Sequence, residues 1–110
     1  MPYHSILKIV ISNLQITKTD IEILKLLISK KGGLLISDII RNISRSERNI
    51  RKRLKMLINN GILQRKIEVL DNKRLAYRYS IESEKRIIEI IINQLNWKIE
   101  NLNNLLPNIE

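Results

Sequence analysis

Cysteine is absent from this 110-residue chain, which excludes disulfides, thiolate metal centres and a cysteine nucleophile, and leaves the redox compartment unread. Histidine occurs once, as His4, so an imidazole-based zinc site within one chain is excluded, and His4 reads as a solvated terminal residue rather than a general base. Phenylalanine is missing, alanine occurs once and glycine three times, and none of the glycines forms a phosphate-cradling loop. No uninterrupted apolar run approaches the ~20 residues of a membrane span. The opening MPYHSILKIVIS lacks the basic start and small-residue cleavage site of a signal peptide, so the reading is cytoplasmic, with no membrane partner. The length allows one domain and at most one appended element, because single domains cluster near ~100 to 150 residues.

What is present folds. Hydrophobic residues make up 44% and charged residues 28%, the balance of an ordinary globule rather than of a disordered tail. The 23 Ile, 16 Leu, 12 Asn and 11 Lys follow AT-rich codons and report genome composition more than mechanism. The net charge is +9, and its location is informative: residues 41 to 78 hold twelve basic and three acidic side chains, while the rest of the chain is neutral. One block carrying all the excess positive charge is the footprint of a polyanion binder. A merely solubilising surface has the same composition, so the decision falls to the structure of the block.

The spacing predicts a helix over residues 3–14, with Ile6, Leu7, Val10, Ile11 and Leu14 on one face, although Ile9 leaves a strand as the alternative. Thr17 and Asp20 fit a capping box, and Ile16 and Ile21 the accompanying hydrophobic staple, so a helix starts at Thr17. Its apolar face is Ile21, Ile23, Leu24, Leu27 and Ile28, and Gly32-Gly33 ends it near Lys31. Ser37 is the best available N-cap for a brief helix burying Ile39, Ile40 and Ile43. After a turn at Ser44-Arg45, Ser46 caps a helix whose stripe is Ile50, Leu54, Leu57 and Ile58, stopped by Asn60-Gly61. Arg48, Lys52, Lys55 and Asn59 fall opposite that stripe, with Asn49, Arg51 and Arg53 on its flanks.

Residues 62–70 and 75–81 read as a β-hairpin turning at Asp71-Asn72-Lys73. Its tip carries Lys73 and Arg74, its strands Arg65, Lys66 and Arg78. A long helix runs from its cap at Ser83 to Leu106, closed by Pro107. Ile88, Leu95 and Leu102 repeat every seven residues, Ile91 and Leu105 form a second column interrupted by Lys98, and Ile92, Ile99 and Leu106 widen the stripe. Such a seam calls for a partner helix.

The expected fold is therefore mostly α with a small β-hairpin: residues 1–15 an N-terminal helix, 16–82 a winged helix-turn-helix domain, and 83–110 a C-terminal dimerisation helix. In the segments TKTDIEILKLL (17–27), ISDIIRNISRSERNIRKRLKMLINNGIL (36–63) and AYRYSI (76–81) the chain resembles archaeal winged-helix regulators of the TrmB-like group, with MarR-like proteins as broader relatives. The block of Ser, Ile, Leu and Gly-Ile-Leu encodes capping and burial, and recurs in winged helices that do not read DNA. The resemblance implies a homodimer on double-stranded DNA. The helix from Ser46 to Asn60 would enter the major groove with Ser46, Arg48, Asn49, Arg51, Lys52, Arg53 and Lys55. The wing would meet the backbone with Arg65, Lys66, Lys73, Arg74 and Arg78, and Ile88, Ile91, Ile92, Leu95, Ile99, Leu102, Leu105 and Leu106 would dimerise. The sequence departs from the pattern at Leu35-Ile36, where relatives usually carry a Ser or Thr cap. It also lacks the large ligand-binding domain of longer TrmB proteins, which removes the basis for a sugar effector.

Three function classes are open to this sequence. A dimeric DNA-binding regulator fits the cationic helix, because Arg and Lys pair with guanine and Asn with adenine. A winged-helix interaction module with a protein or RNA partner is the alternative, disfavoured because interface cores are poor in Lys. An enzyme is disfavoured by the scatter of Glu82, Glu84 and Glu89 along a helix edge and by the lack of a Ser-His-Asp set; no cofactor or metal is expected. Tyr77 and Tyr79 share a strand face and read as packing residues, as does Trp97. The near-neutral, Asn-rich terminal helix argues against anionic lipid.

Overall fold

The computed structural model describes Tyr3, Lys8, Val10 and residues 15–109. Most of the expected first helix, including Ile6, Leu7, Ile11 and Leu14, lies outside the described residues. Tyr3, Lys8 and Val10 have helical backbone. Val10 belongs to the hydrophobic core, and the Tyr3 hydroxyl donates to the carbonyl of Glu82 at 3.1 Å.

The elements that follow are α1 (Lys18–Ile28), β1 (Leu34–Leu35), α2 (Ile36–Asn42), α3 (Glu47–Asn59), β2 (Leu63–Val69), β3 (Leu75–Ile81) and α4 (Glu84–Leu105), with a 3₁₀ turn at Leu106–Asn108. Helix α1 starts where the sequence says it should: the Thr17 side chain accepts from the Asp20 amide and the Asp20 carboxylate from the Thr17 amide. It ends at Ile28, three residues short of the expected Lys31, and Ser29 caps it. Ser46 and Ser83 cap α3 and α4 as expected, each accepting from the amide three residues on.

Helix α2 corrects the sequence reading. Its N-cap is Leu35, with no side-chain cap, so Ser37 lies inside the helix. The start is set by tertiary pairing instead: β1 pairs antiparallel with β3, Leu34 opposite Tyr79 and Leu35 opposite Arg78, in a sheet of order β1-β3-β2. Gly33 precedes this pair at φ +82, and a Cβ there would collide with the Tyr79 carbonyl oxygen. Glycine is needed at this position on both counts.

The core is where three helices meet the base of the sheet. Ile23, Leu24 and Leu27 of α1, Ile39 of α2, Ile50, Leu54 and Leu57 of α3, Ile62, Tyr79, and Ile87 and Ile91 of α4 are all buried. Three helices, a three-stranded antiparallel sheet whose last two strands form a projecting hairpin, and a long C-terminal helix constitute a winged helix. A compact monomer of this mass would expose about 6,300 Å²; this one exposes 8016 Å². Its radius of gyration is 16.8 Å, against about 13 Å for a compact domain of this length. Helix α4 contributes to this excess, as do the outer residues of the hairpin. Beyond Ile91 the helix leaves the core, and Ile92, Leu95, Ile99, Leu102 and Leu105 are exposed. Ile91 was expected in the dimer seam, yet the structure buries it beside Ile87. Trp97, expected to anchor packing, is 66% exposed. Among the described residues no helix is long and apolar enough to cross a membrane.

Candidate nucleic-acid interface

The block of excess charge runs from the end of α2 through helix α3 and the β2–β3 hairpin, and the structure sorts its twelve cations. Five are paired with carboxylates: Arg41 with Asp38 at 3.4 Å, Arg45 with Glu22 at 3.0 Å, Arg51 with Glu47 at 3.0 Å, Arg53 with Asp20 at 2.7 Å and Arg78 with Glu68 at 3.0 Å. Among the described residues the other seven, Arg48, Lys52, Lys55, Arg65, Lys66, Lys73 and Arg74, meet no carboxylate within that reach and are exposed. All seven lie on the outer face of α3 or on the hairpin.

On α3, Arg48, Lys52 and Lys55 stand opposite the buried Ile50, Leu54 and Leu57, as the 100° spacing requires. The flanking residues behave differently. Arg53 turns inward: Nε and Nη2 donate to the two oxygens of Asp20 at 2.8 and 2.7 Å, and Asp20 is 0% exposed. These hydrogen bonds raise the Arg53 pKa further above its ordinary range. The buried carboxylate is satisfied by the arginine fork and by the Thr17 amide, which is the condition for tolerating such a charge. Asn49 Nδ2 donates to Thr19 Oγ1 at 3.0 Å, and Ser46 Oγ is occupied by the α3 cap. Ser46, Asn49 and Arg53 were expected to face the groove. Here they secure α3 to itself and to α1, and Arg51 reaches Glu47 on the helix surface.

The hairpin closes by a turn in which the Lys73 amide donates to the Leu70 carbonyl at 2.8 Å and the Arg74 amide to Asn72 Oδ1 at 3.0 Å. Lys73 has φ 66, a left-handed conformation usually given to Gly or Asn. Strand register splits the remaining wing cations between two faces. Arg65 shares a face with Ile67, Tyr77 and Tyr79, and its guanidinium carbon lies 4.2 Å from the centre of the Tyr77 ring. Lys66 and Arg78 are on the other face, where Arg78 also donates to the Gly33 carbonyl at 3.2 Å and so ties the wing to β1. Sequence reasoning missed both the Asp20 anchor and the Arg65–Tyr77 stack. The stack was readable from the turn, which fixes Ile67 opposite Tyr77. The anchor joins residues 33 apart in sequence, and its one signal was an acid lying among the apolar residues of α1.

Five pairs of opposite charge, seven unpartnered cations on one helix face and one hairpin, and, among the described residues, no cluster of metal-ligating side chains describe a surface suited to a polyanion. The class defined by the fold is the winged helix with an appended C-terminal helix. A solved structure of this class, described as a possible transcriptional regulator from Methanosarcina mazei Go1, superimposes with a TM-score of 0.77 and 22% sequence identity, covering 96% of this chain and 88% of that one. No protein-family profile matches the sequence, and no curated protein is significantly similar to it.

Proposed function

We propose that the chain is a cytoplasmic, double-stranded DNA-binding transcriptional regulator of the TrmB-like kind, acting as a homodimer. Residues 16–82 form the DNA-binding domain and 83–110 the dimerisation helix. The observation that carries this reading is the set of seven cations without carboxylate partners on α3 and the hairpin. Arg48 and Lys52 face bases in the major groove, where bidentate pairing with guanine specifies sequence. Lys66, Lys73 and Arg74 neutralise phosphates, which adds affinity without specificity.

The dimer rests on the uncovered face of α4, where Ile88, Ile92, Leu95, Ile99, Leu102 and Leu105 are all exposed, continued by Leu106 of the 3₁₀ turn. The surface in excess of a compact monomer is about 1,700 Å² per chain, so covering it on both copies would bury about 3,400 Å², the size of an obligate homodimer interface. Two copies related by a two-fold axis present two recognition helices to one side of the duplex, about one helical turn apart. Selection of bound sites from a random duplex library should return an inverted repeat, and affinity should fall about a thousandfold between 50 and 200 mM salt. Micromolar or weaker binding at 50 mM salt, for every duplex tried, would count against the regulator. Sedimentation should give a dimer for the wild type and a monomer for Leu95→Asp, and a monomeric wild type at micromolar concentration would remove the dimer.

A second reading, a winged-helix module docking on a protein or RNA partner, is favoured by one feature. The outer half of the hairpin exposes Ile67 at 63%, Val69 at 67% and Leu75 at 68%. Binding to an acidic partner without duplex affinity would select it.

A further inference from the structure

The strand register gives the hairpin one polar face, with Lys66, Glu68 and Arg78, and one apolar face. The apolar face begins in the core at Leu63 and Tyr79, then runs outward through Tyr77 and Ile67 to Val69 and Leu75, all four exposed. A dimple of about 120 Å³ opens on it between Ile67, Leu75, Ala76 and Tyr77, a shape that takes one apolar side chain as an anchor. Cations stand around it: Arg65 lies over the Tyr77 ring, and Lys73 and Arg74 are exposed at the turn. The single acid of the two strands, Glu68, is on the other face and bridged to Arg78. We infer that this face docks an acidic amphipathic helix of a partner protein. The helix lays its apolar stripe along Tyr77, Ile67, Val69 and Leu75 and sets its carboxylates against Arg65, Lys73 and Arg74. This partner is additional to a duplex, and the face is available to it whether or not the chain binds one.

The chemistry of the face selects among its possible occupants. A duplex offers phosphates to the cations but nothing to four apolar side chains, unless they wedge between base pairs. The residues that would lead such a wedge are Asp71, Asn72 and Lys73 of the turn, which are polar and include an acid. A second copy of the hairpin would set Arg65, Lys73 and Arg74 against their own kind, which is costly. The uncovered seam of a second copy's α4 is apolar enough, yet that helix carries three acids and three bases and gives the cations no net attraction. An acidic helix satisfies both parts of the surface. It also fits: two strands about 4.8 Å apart present a face about 10 Å wide, and a helix is about 10 to 12 Å across with its side chains. A strand added at the β2 edge would bond to the backbone and leave the face open. The apolar face is short, so the contact is a transient one of micromolar strength.

The test is selection on the wild-type chain from a displayed library of random peptides of about 18 residues, long enough to hold a helix in water, followed by titration of the winners. These should carry Leu, Ile or Phe at helical spacing with Asp or Glu beside them. Ile67→Thr and Leu75→Thr keep the strand preference and, at exposed positions, should melt as the wild type does, yet each should weaken peptide binding about tenfold. Replacing Lys73 and Arg74 together by Gln should weaken it about three- to tenfold at low salt and less at high salt. Neither threonine variant should change binding to a selected duplex. Recovery of no binders, winners without acids, or winners indifferent to both threonine variants would overturn the docking face. Tenfold weaker duplex binding by Leu75→Thr would overturn it by giving the face to the base stack, and a sedimentation change in that variant would do so by giving it to a second copy. A wild type that binds such peptides but no duplex would fail the regulator and still support this face.

Discussion

In α3 the apolar stripe is covered along its length, with Ile50, Leu54 and Leu57 all at 0% exposure and Ile58 partly buried, whereas in α4 cover stops at Ile87 and Ile91, and Leu102 stands 63% exposed. Both helices have a serine N-cap and an amphipathic pattern. The difference is in their neighbours. Helix α3 is enclosed by α1, the sheet and the Asp20–Arg53 pair, so its polar face is fixed in direction and can present cations in a set geometry. Beyond its first two turns α4 has no such enclosure. An amphipathic pattern therefore states that a face must be covered, and only the remainder of the fold states by what.

The largest break in this contrast should come from the anchor of α3. Arg53→Met leaves the Asp20 carboxylate buried without its guanidinium and should cost about 3 to 5 kcal/mol, read as a fall in the denaturation midpoint; a loss under 1 kcal/mol would show that the pair is dispensable. Next, Leu54→Ala should cost about 2 to 4 kcal/mol through the cavity it opens. Leu102→Ala, the matching truncation on α4, should leave the stability of the dilute monomer unchanged and act only where melting depends on protein concentration. Equal losses for the two at every concentration would erase the contrast.

The smallest effect belongs to Glu22, whose carboxyl is held below its ordinary 4.5 by the hydrogen bonds from Arg45. A lowered folded value means that this contribution is present above 4.5 and is lost as pH falls through the lower one. Glu22→Gln should therefore melt slightly below the wild type at neutral pH, and the gap should close on acidification. A gap that widened in acid would reverse the assignment. Both side chains are exposed to solvent, so salt should shrink the gap as well.

Local chemistry was readable and distant pairing was not. Thr17, Ser46 and Ser83 marked helix starts because a cap acts within three residues of itself, and Asp71-Asn72-Lys73 marked the turn for the same reason. The start of α2 was misread because strand pairing with residues more than forty positions away sets it, leaving Ser37 with no cap to make. The 100° rule placed Arg53 and Asn49 on the flanks of α3 correctly, but nothing in a helical wheel says that a flank will meet Asp20 or Thr19 of another helix. Ile91 and Ile88 were equivalent as heptad residues. Their fates divide because Ile91 faces the core and Ile88 does not.

Contact between Gly33 and Arg78 spans 45 residues, and the adjacent pairs Leu34–Tyr79 and Leu35–Arg78 close the same loop. Everything that meets the proposed ligand, from α2 to the wing tip, lies inside that single loop. Its closure entropy is about 3 kcal/mol, and so short a strand can offset it only once the hairpin has already formed. A hairpin already formed gives β1 a ready strand to pair with. This clasp is then the point from which the helix-turn-helix and the wing are released together, as one cooperative unit rather than as two.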